Sequence, residues 1–165
     1  MFPKTMLDYP ITPAIRFLRD KHVSFIPHLY VYEEHGGTNA SAAALGVDEH
    51  AVIKTLVFQT DERKPLLVLM HGDRDVSTKL LARIVGAKSV TPSDAKPAER
   101  NTGYLFGGTS PFGTRRQLPT YAESSIFSLP TIYINGGKRG FLVELSPDDV
   151  MKSLSIVEVQ VAVIV

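Results

Sequence analysis

Cysteine is absent from the 165 residues. That excludes disulfides, thiolate metal sites and a cysteine nucleophile, and it fits a reducing compartment. An excess of charge is missing too: 18 Lys and Arg against 17 Asp and Glu leave a formal net charge of +1. Proteins that grip duplex nucleic acid along its length carry a concentrated basic stripe. This balance suits a small ligand, or contact with one end of a polyanion. No apolar run reaches membrane-spanning length, and the opening MFPKTMLDYPITP lacks the apolar core of a signal peptide. A soluble, cytoplasmic protein without membrane contact is expected. Internal repeats and low-complexity linkers are also lacking, and 165 residues with 44% apolar content suit one compact domain over 1–165.

Familiar catalytic signatures are scarce in the same way. His22, His28, His35, His50 and His71 form no HExxH pattern and no metal-ligand spacing. Ser110 lies in TSPFG, which is not the GxSxG nucleophile elbow. Asp148 and Asp149 are explained by the helix N-terminus that begins at Pro147. No protein nucleophile, metal or organic cofactor is signalled.

What is present reads as a mixture of strands and helices without strict βαβ alternation. ITPAIRFLRDKH starts as a helix, with Thr12 as cap and Pro13 in the first turn. VSFIPHLYVYEE reads as extended, and Pro27 limits it to an edge or a bend. NASAAALGV is a short helix ended at Gly46, and DVSTKLLARIVGA a capped amphipathic one with Gly86 just beyond. DEHAVIKTLVFQT and LLVLMHG are strands around the polar turn DERKP. A short helix is expected at about 94–101. TIYINGGKRGFLVEL is a hairpin, with NGG supplying the positive-φ positions of its turn. SPDDVMKSL is a last helix, and the tail IVEVQVAVIV a paired strand. The expected fold is α+β: a curved, mixed, barrel-like sheet flanked by helices.

Two segments carry candidate chemistry. In AVIKTLVF, alternation puts Ile53, Thr55 and Val57 on one face and Lys54, Leu56 and Phe58 on the other. Lysine is rarely buried without a partner. Lys54 is therefore either a snorkelling side chain at a strand end or a cation aimed into a pocket. The second segment, TGYLFGGTSPFG, holds four glycines in twelve residues. Gly108 and Gly113 have the spacing of a phosphate-binding loop, but its lysine is missing. The loop is either a tight turn between strands or a set of amides that approach a ligand closely, with no Cβ in the way.

Together, TPAIRFLRDKHVSFIPHLY, VIKTLVF, TGYLFGGTSPFGTRRQLPT and TIYINGGKRGFLVEL resemble the YbaK/EbsC family, free-standing relatives of the editing domain of bacterial prolyl-tRNA synthetases. The likeness runs from about residue 12 to about 150, in order. Its two specific signatures, lysine-threonine in a strand and GGxSPxG, stand about fifty residues apart. It is strongest to the YbaK branch, whose members hydrolyse cysteine mischarged onto proline tRNA.

The resemblance implies roles residue by residue. Lys54 would engage the tRNA 3′ end and orient the ester, followed by Thr55 in the pocket. Gly107 would position the scissile carbonyl through its backbone, with Gly108, Ser110, Pro111 and Gly113 completing the loop. Tyr30 matches a pocket tyrosine, and Arg139, in the GGKRG segment, is expected to help bind the substrate. No cofactor is implied. The implied partner is the aminoacyl end of tRNA, delivered by prolyl-tRNA synthetase. The implied chemistry is supplied by the substrate, whose thiol attacks its own ester. Two alternatives remain: a deacylase for alanyl or another small aminoacyl ester using a bound water, and a non-catalytic module that binds tRNA ends or nucleotides. Ala40, Leu142 and Val143 depart from residues the branch can carry, and they bear on the cysteine preference. The valine-rich tail after about 155 departs as well.

Overall fold

The computed structural model describes residues 8–164. Residues 1–7, which form part of the segment read for a signal peptide, lie outside them, as does the last valine of the tail. The elements are α1 (Pro13–Asp20), β1 (Ile26–Leu29), α2 (Gly37–Leu45), β2 (Val52–Thr60), β3 (Pro65–His71), β4 (Arg74–Val76), α3 (Thr78–Val85) and β5 (Val90–Pro92). They continue as α4 (Ala95–Thr102), β6 (Thr120–Glu123), β7 (Ile132–Lys138), β8 (Phe141–Leu145), α5 (Pro147–Ser153), β9 (Ile156–Val159) and β10 (Ala162–Ile164).

Eight strands form one mixed sheet in the order β1-β8-β7-β2-β3-β6-β9, with β5 pairing a second stretch of β2. β2 runs parallel to β7, β3 to β6 and β6 to β9, and the remaining pairs are antiparallel. Helix signals act where the sequence puts them. Thr12 Oγ1 accepts from Ile15 N–H at 3.2 Å, and Ser77 and Ser146 cap α3 and α5 in the same manner. Pro27 sits on the edge strand β1, where its missing N–H costs no ladder bond.

The period-two alternation of β2 divides the protein. Ile53 points into the main core with Ile15 and Leu18 of α1, Ile134, Val143, Phe112 and Phe141. Phe58 packs on the opposite face against Leu81 and Ala82 of α3. Val52, on that same face, meets Ala42 of α2 and Leu142. Lys54 follows from the alternation: it shares the face of Val52 and Phe58, away from the main core.

Two readings of local structure need correction. The hairpin turn is not at NGG. β7 continues through Asn135–Gly137 with a shift of register before Lys138, and the chain reverses at Arg139–Gly140, where Gly140 has φ +78°. Asn135 Oδ1 accepts from Gly137 N–H at 2.7 Å and Lys138 N–H at 3.1 Å, so its side chain builds a bulge and leaves the turn to later residues. The tail is two strands: β9 extends the main sheet beside β6, and β10 pairs β4. Between them the Glu123 carboxylate accepts from Val161 N–H (2.8 Å) and Ala162 N–H (3.1 Å), satisfying the backbone where the ladder breaks.

Candidate active site

Lys54 is held lightly. Its side chain is 20% exposed, its ammonium donates to the Arg74 carbonyl, and Asp75 Oδ1 lies 3.5 Å away. Asp75 is 62% exposed, and a pair with so solvated a partner contributes at most about 1 kcal/mol. Thr55 points to the opposite face of the strand; its Oγ1 is buried and has no hydrogen-bond partner among the described residues.

The register of the sheet relates Lys54 to the glycine loop. The β2–β7 ladder ends at the pair Ile53–Ile134. Lys54 and Asn135 therefore both stand one residue past the last pair, on the face of Val52 and Tyr133. Beyond that point β2 pairs with β5 from Phe58 onward, while β7 continues with β8. Asn135 Nδ2 donates to the Gly107 carbonyl at 3.2 Å. The glycine loop thus hangs from the strand adjacent to that of Lys54. The lysine ammonium makes no hydrogen bond to the loop itself.

Gly107 is exposed and adopts φ +85°, and a Cβ built there would lie 2.7 Å from Tyr32 Oη. With its carbonyl held by Asn135, its N–H has no acceptor among the described residues. Gly108 differs: its N–H closes the turn on the Leu105 carbonyl at 2.9 Å, and a Cβ would meet Arg139 N at 2.8 Å. One free amide and one used amide distinguish the neighbouring glycines. Arg139 Nε donates to the Phe106 carbonyl at 2.7 Å, and its guanidinium lies 5.3 Å from the centre of the Tyr32 ring. Leu105 and Phe106, at the rim, are 61% and 55% exposed.

The rest of the loop stands behind this surface. Ser110 is fully buried and its Oγ accepts from Phe112 N–H at 3.1 Å, Pro111 is buried, and Gly113 backs onto the Pro13 carbonyl. Expected to touch substrate, these three instead shape the turn. Phe112 anchors it in the main core, 5.9 Å from Phe17 in a stacked arrangement, and the Tyr104 hydroxyl donates to its carbonyl. Full burial of such a side chain contributes about 2–3 kcal/mol. Burial also pushes the Tyr104 phenol well above its ordinary range, so it remains a donor. No helix follows the loop before β6, so the GxxxxG spacing does not build a phosphate cradle at a helix N-terminus.

Beside the loop, Tyr30 and Tyr133 pack on the small cluster of Ala42, Val52 and Leu142. Burial raises the phenols of Tyr30 and Tyr133, which keeps both neutral. His28 Nε2 meets Glu144 Oε1 at 2.7 Å on the same side. Leu142 belongs to this patch, whereas Val143 is fully buried in the main core and faces away from it. Tyr32 and Asn135 are beyond the reach of sequence reasoning. Asn135 carries a signal, an asparagine ahead of paired glycines, but that pattern fits a hairpin turn equally well. Arg115 and Arg116 follow the loop and are drawn to α4, donating from their backbone N–H groups to the Thr102 and Asn101 carbonyls at 2.9 and 3.0 Å.

Residues 33–153 match the family model described as "Aminoacyl-tRNA editing domain". The chain belongs to that family. It is 31% identical over 141 residues, 85% of this chain and 86% of the relative, to the "Putative Cys-tRNA(Pro)/Cys-tRNA(Cys) deacylase EbsC" of Enterococcus faecalis. It is 28% identical over 138 residues to a proline–tRNA ligase of Desulforamulus reducens, of which the match spans 23%. A crystal structure of a "putative trans-editing enzyme for prolyl tRNA synthetase" superposes with a TM-score of 0.73 at 20% identity, covering 92% of this chain and 99% of the other. At that identity the likeness speaks for the fold, and the editing-domain fold is the one expected. Among the described residues no helix is long and apolar enough to cross a membrane.

Proposed function

We propose that this editing domain is a trans-acting aminoacyl-tRNA deacylase, and that its substrate is Cys-tRNA(Pro). The observation that carries the reading is the exposed N–H of Gly107, without an acceptor among the described residues, in a peptide unit held by Arg139 on the Phe106 carbonyl and a loop tied by Asn135 beside the strand that bears Lys54. Such an amide suits an ester carbonyl that becomes an oxyanion. One donor of this kind is worth roughly 3–4 kcal/mol. Lys54, restrained only by one carbonyl and a solvated carboxylate, is free to turn to the terminal nucleotide of the tRNA. Exposed Phe106 offers a face for its adenine.

In this mechanism the reacting group belongs to the substrate. The cysteinyl sulfur attacks its own ester carbon, the C–S bond forms, and the bond to the ribose oxygen breaks. The thiol proton passes to that oxygen, leaving a cyclic thiolactone and free tRNA. Holding the thiol and carbonyl in attack geometry can supply roughly 7–11 kcal/mol. The patch of Tyr30, Tyr133 and Leu142 would take the side chain, and prolyl-tRNA synthetase would deliver the tRNA. The apolar Leu142 suits a methyl group as well as a thiol, which favours as second reading an alanyl ester cleaved by a bound water.

Deacylation rates over Cys-, Ser-, Ala- and Pro-tRNA test the proposal. Thiol chemistry requires cysteine to exceed serine and alanine by orders of magnitude. Equal rates for the three would remove the cyclisation mechanism and leave the water reading, and no deacylation with tight tRNA binding would leave only a binding module.

A further inference from the structure

Far from Lys54 along β2, a cavity of about 320 Å³ opens between the β2–β3 turn, the start of α4 and the chain that follows the glycine loop. Three arginines line it, Arg63, Arg100 and Arg116, together with Asn101, Ser93 and Asp94. None of the three guanidiniums forms a salt bridge with a described residue. Among the described residues only the Arg116 guanidinium has a hydrogen-bond partner, the Asn101 Oδ1 at 2.8 Å. Asp94 is the sole carboxylate of the lining, so the cavity keeps a clear positive excess.

All three arginines are exposed, and the backbones of two of them are held in place. Arg63 holds φ +59° in the turn closed by its own N–H on the Thr60 carbonyl at 2.9 Å. Arg116 N–H is tied to the Asn101 carbonyl of α4 at 3.0 Å. Guanidinium forks match the oxygens of a phosphate group pairwise, and a lining this polar suits a phosphate better than a base. The whole chain carries only +1, so affinity for a polyanion must come from a local concentration such as this one.

We propose that the arginine cavity binds a backbone phosphate of tRNA, remote from the aminoacyl end. The inference rests on the reading of the protein as one that acts on tRNA. Gln59, on the cavity wall, is five residues along β2 from Lys54 and so on the opposite face of the strand, a separation of about 16 Å along the chain.

The test compares Arg63→Gln/Arg100→Gln/Arg116→Gln with a charge-matched control, Lys79→Gln/Arg83→Gln/Lys152→Gln, on exposed sites elsewhere. Binding of an uncharged tRNA(Pro) transcript is followed by fluorescence anisotropy across a salt series, with circular dichroism to verify folding. The cavity variant should weaken binding roughly five- to tenfold at about 100 mM salt and lower the slope of log K against log salt by about 1. The control should change neither comparably. Equal effects in both variants, or none in the cavity variant, overturn the proposal. A titration with inorganic phosphate separates the source of the anion. Saturable stabilisation that is lost in the cavity variant, while tRNA binding stays intact, assigns the site to a free anion and overturns the RNA contact. Cleavage of 3′-cysteinyl-adenosine should be the same in the cavity variant and the parent. Absence of that cleavage in the parent sinks the deacylase reading, while the anisotropy arm still decides the cavity.

Discussion

Gly107→Ala is the substitution that most directly probes the candidate site. An L-residue at φ +85° is held in a left-handed conformation that costs about 1–2 kcal/mol. The added Cβ would lie 2.7 Å from Tyr32 Oη and 3.3 Å from two ring carbons. Reaching ordinary contact requires a displacement of roughly 0.7 Å, taken up by the half-buried tyrosine or by the loop. If the loop moves, the Gly107 amide leaves the position of the developing oxyanion. Errors of about 1 Å in such geometry cost on the order of 10²-fold, and loss of a donor costs roughly 10²- to 10³-fold, about 3–4 kcal/mol. Catalytic efficiency on Cys-tRNA(Pro) should therefore fall by roughly 10²- to 10³-fold, while urea denaturation shows a loss of only about 1–2 kcal/mol. Adding Tyr32→Phe removes the closest contact and should restore part of the activity, leaving the backbone cost. Deacylation by Gly107→Ala within about twofold of the parent would refute the idea that this amide holds the ester.

Lys54→Met should leave folding intact, since its ion pair is solvated, yet lower catalytic efficiency on aminoacyl-tRNA by on the order of 10²-fold; activity retained within about twofold would remove Lys54 from the site. Stability should depend on pH through His71, which is 1% exposed and whose pKa is lowered from 6.5, chiefly by burial. Its Nδ1–H donates to the His50 carbonyl and its Nε2 accepts from Ser125, both at 2.7 Å, so the neutral ring is the form the fold holds. The unfolded chain therefore binds more protons at mildly acidic pH. Stability should be level above about pH 6.5 and decline below it by up to about 1.4 kcal/mol per pH unit. Urea midpoints for the parent and His71→Gln check this, and equal acid slopes for the two would count against it.

Periodicity and caps made most of the fold legible. The alternation of VIKTLVF, the proline on an edge strand, the serine and threonine caps and the left-handed glycines after α2 and α3 are local effects, decided within a few residues of the chain. The glycine-rich loop and the lysine-threonine pair marked the candidate site and pointed to the family for the same reason. Contacts between distant segments were beyond that reach. Asn135 bridges 28 residues to hold the Gly107 carbonyl, and Glu123 reaches 38 residues to the backbone where the tail divides. Which of two adjacent glycines keeps a free amide depends on where the Leu105 carbonyl lands. Ser110 was legible as part of a loop motif, but its full burial is decided by how that loop packs on the core through Phe112. Composition and short-range pattern determine which elements form and which faces they bury, because those preferences act along the chain. The pairing that brings β7 beside β2, the arginine cavity and the amide left open were decided by tertiary packing, because they depend on groups that meet only once the chain has folded.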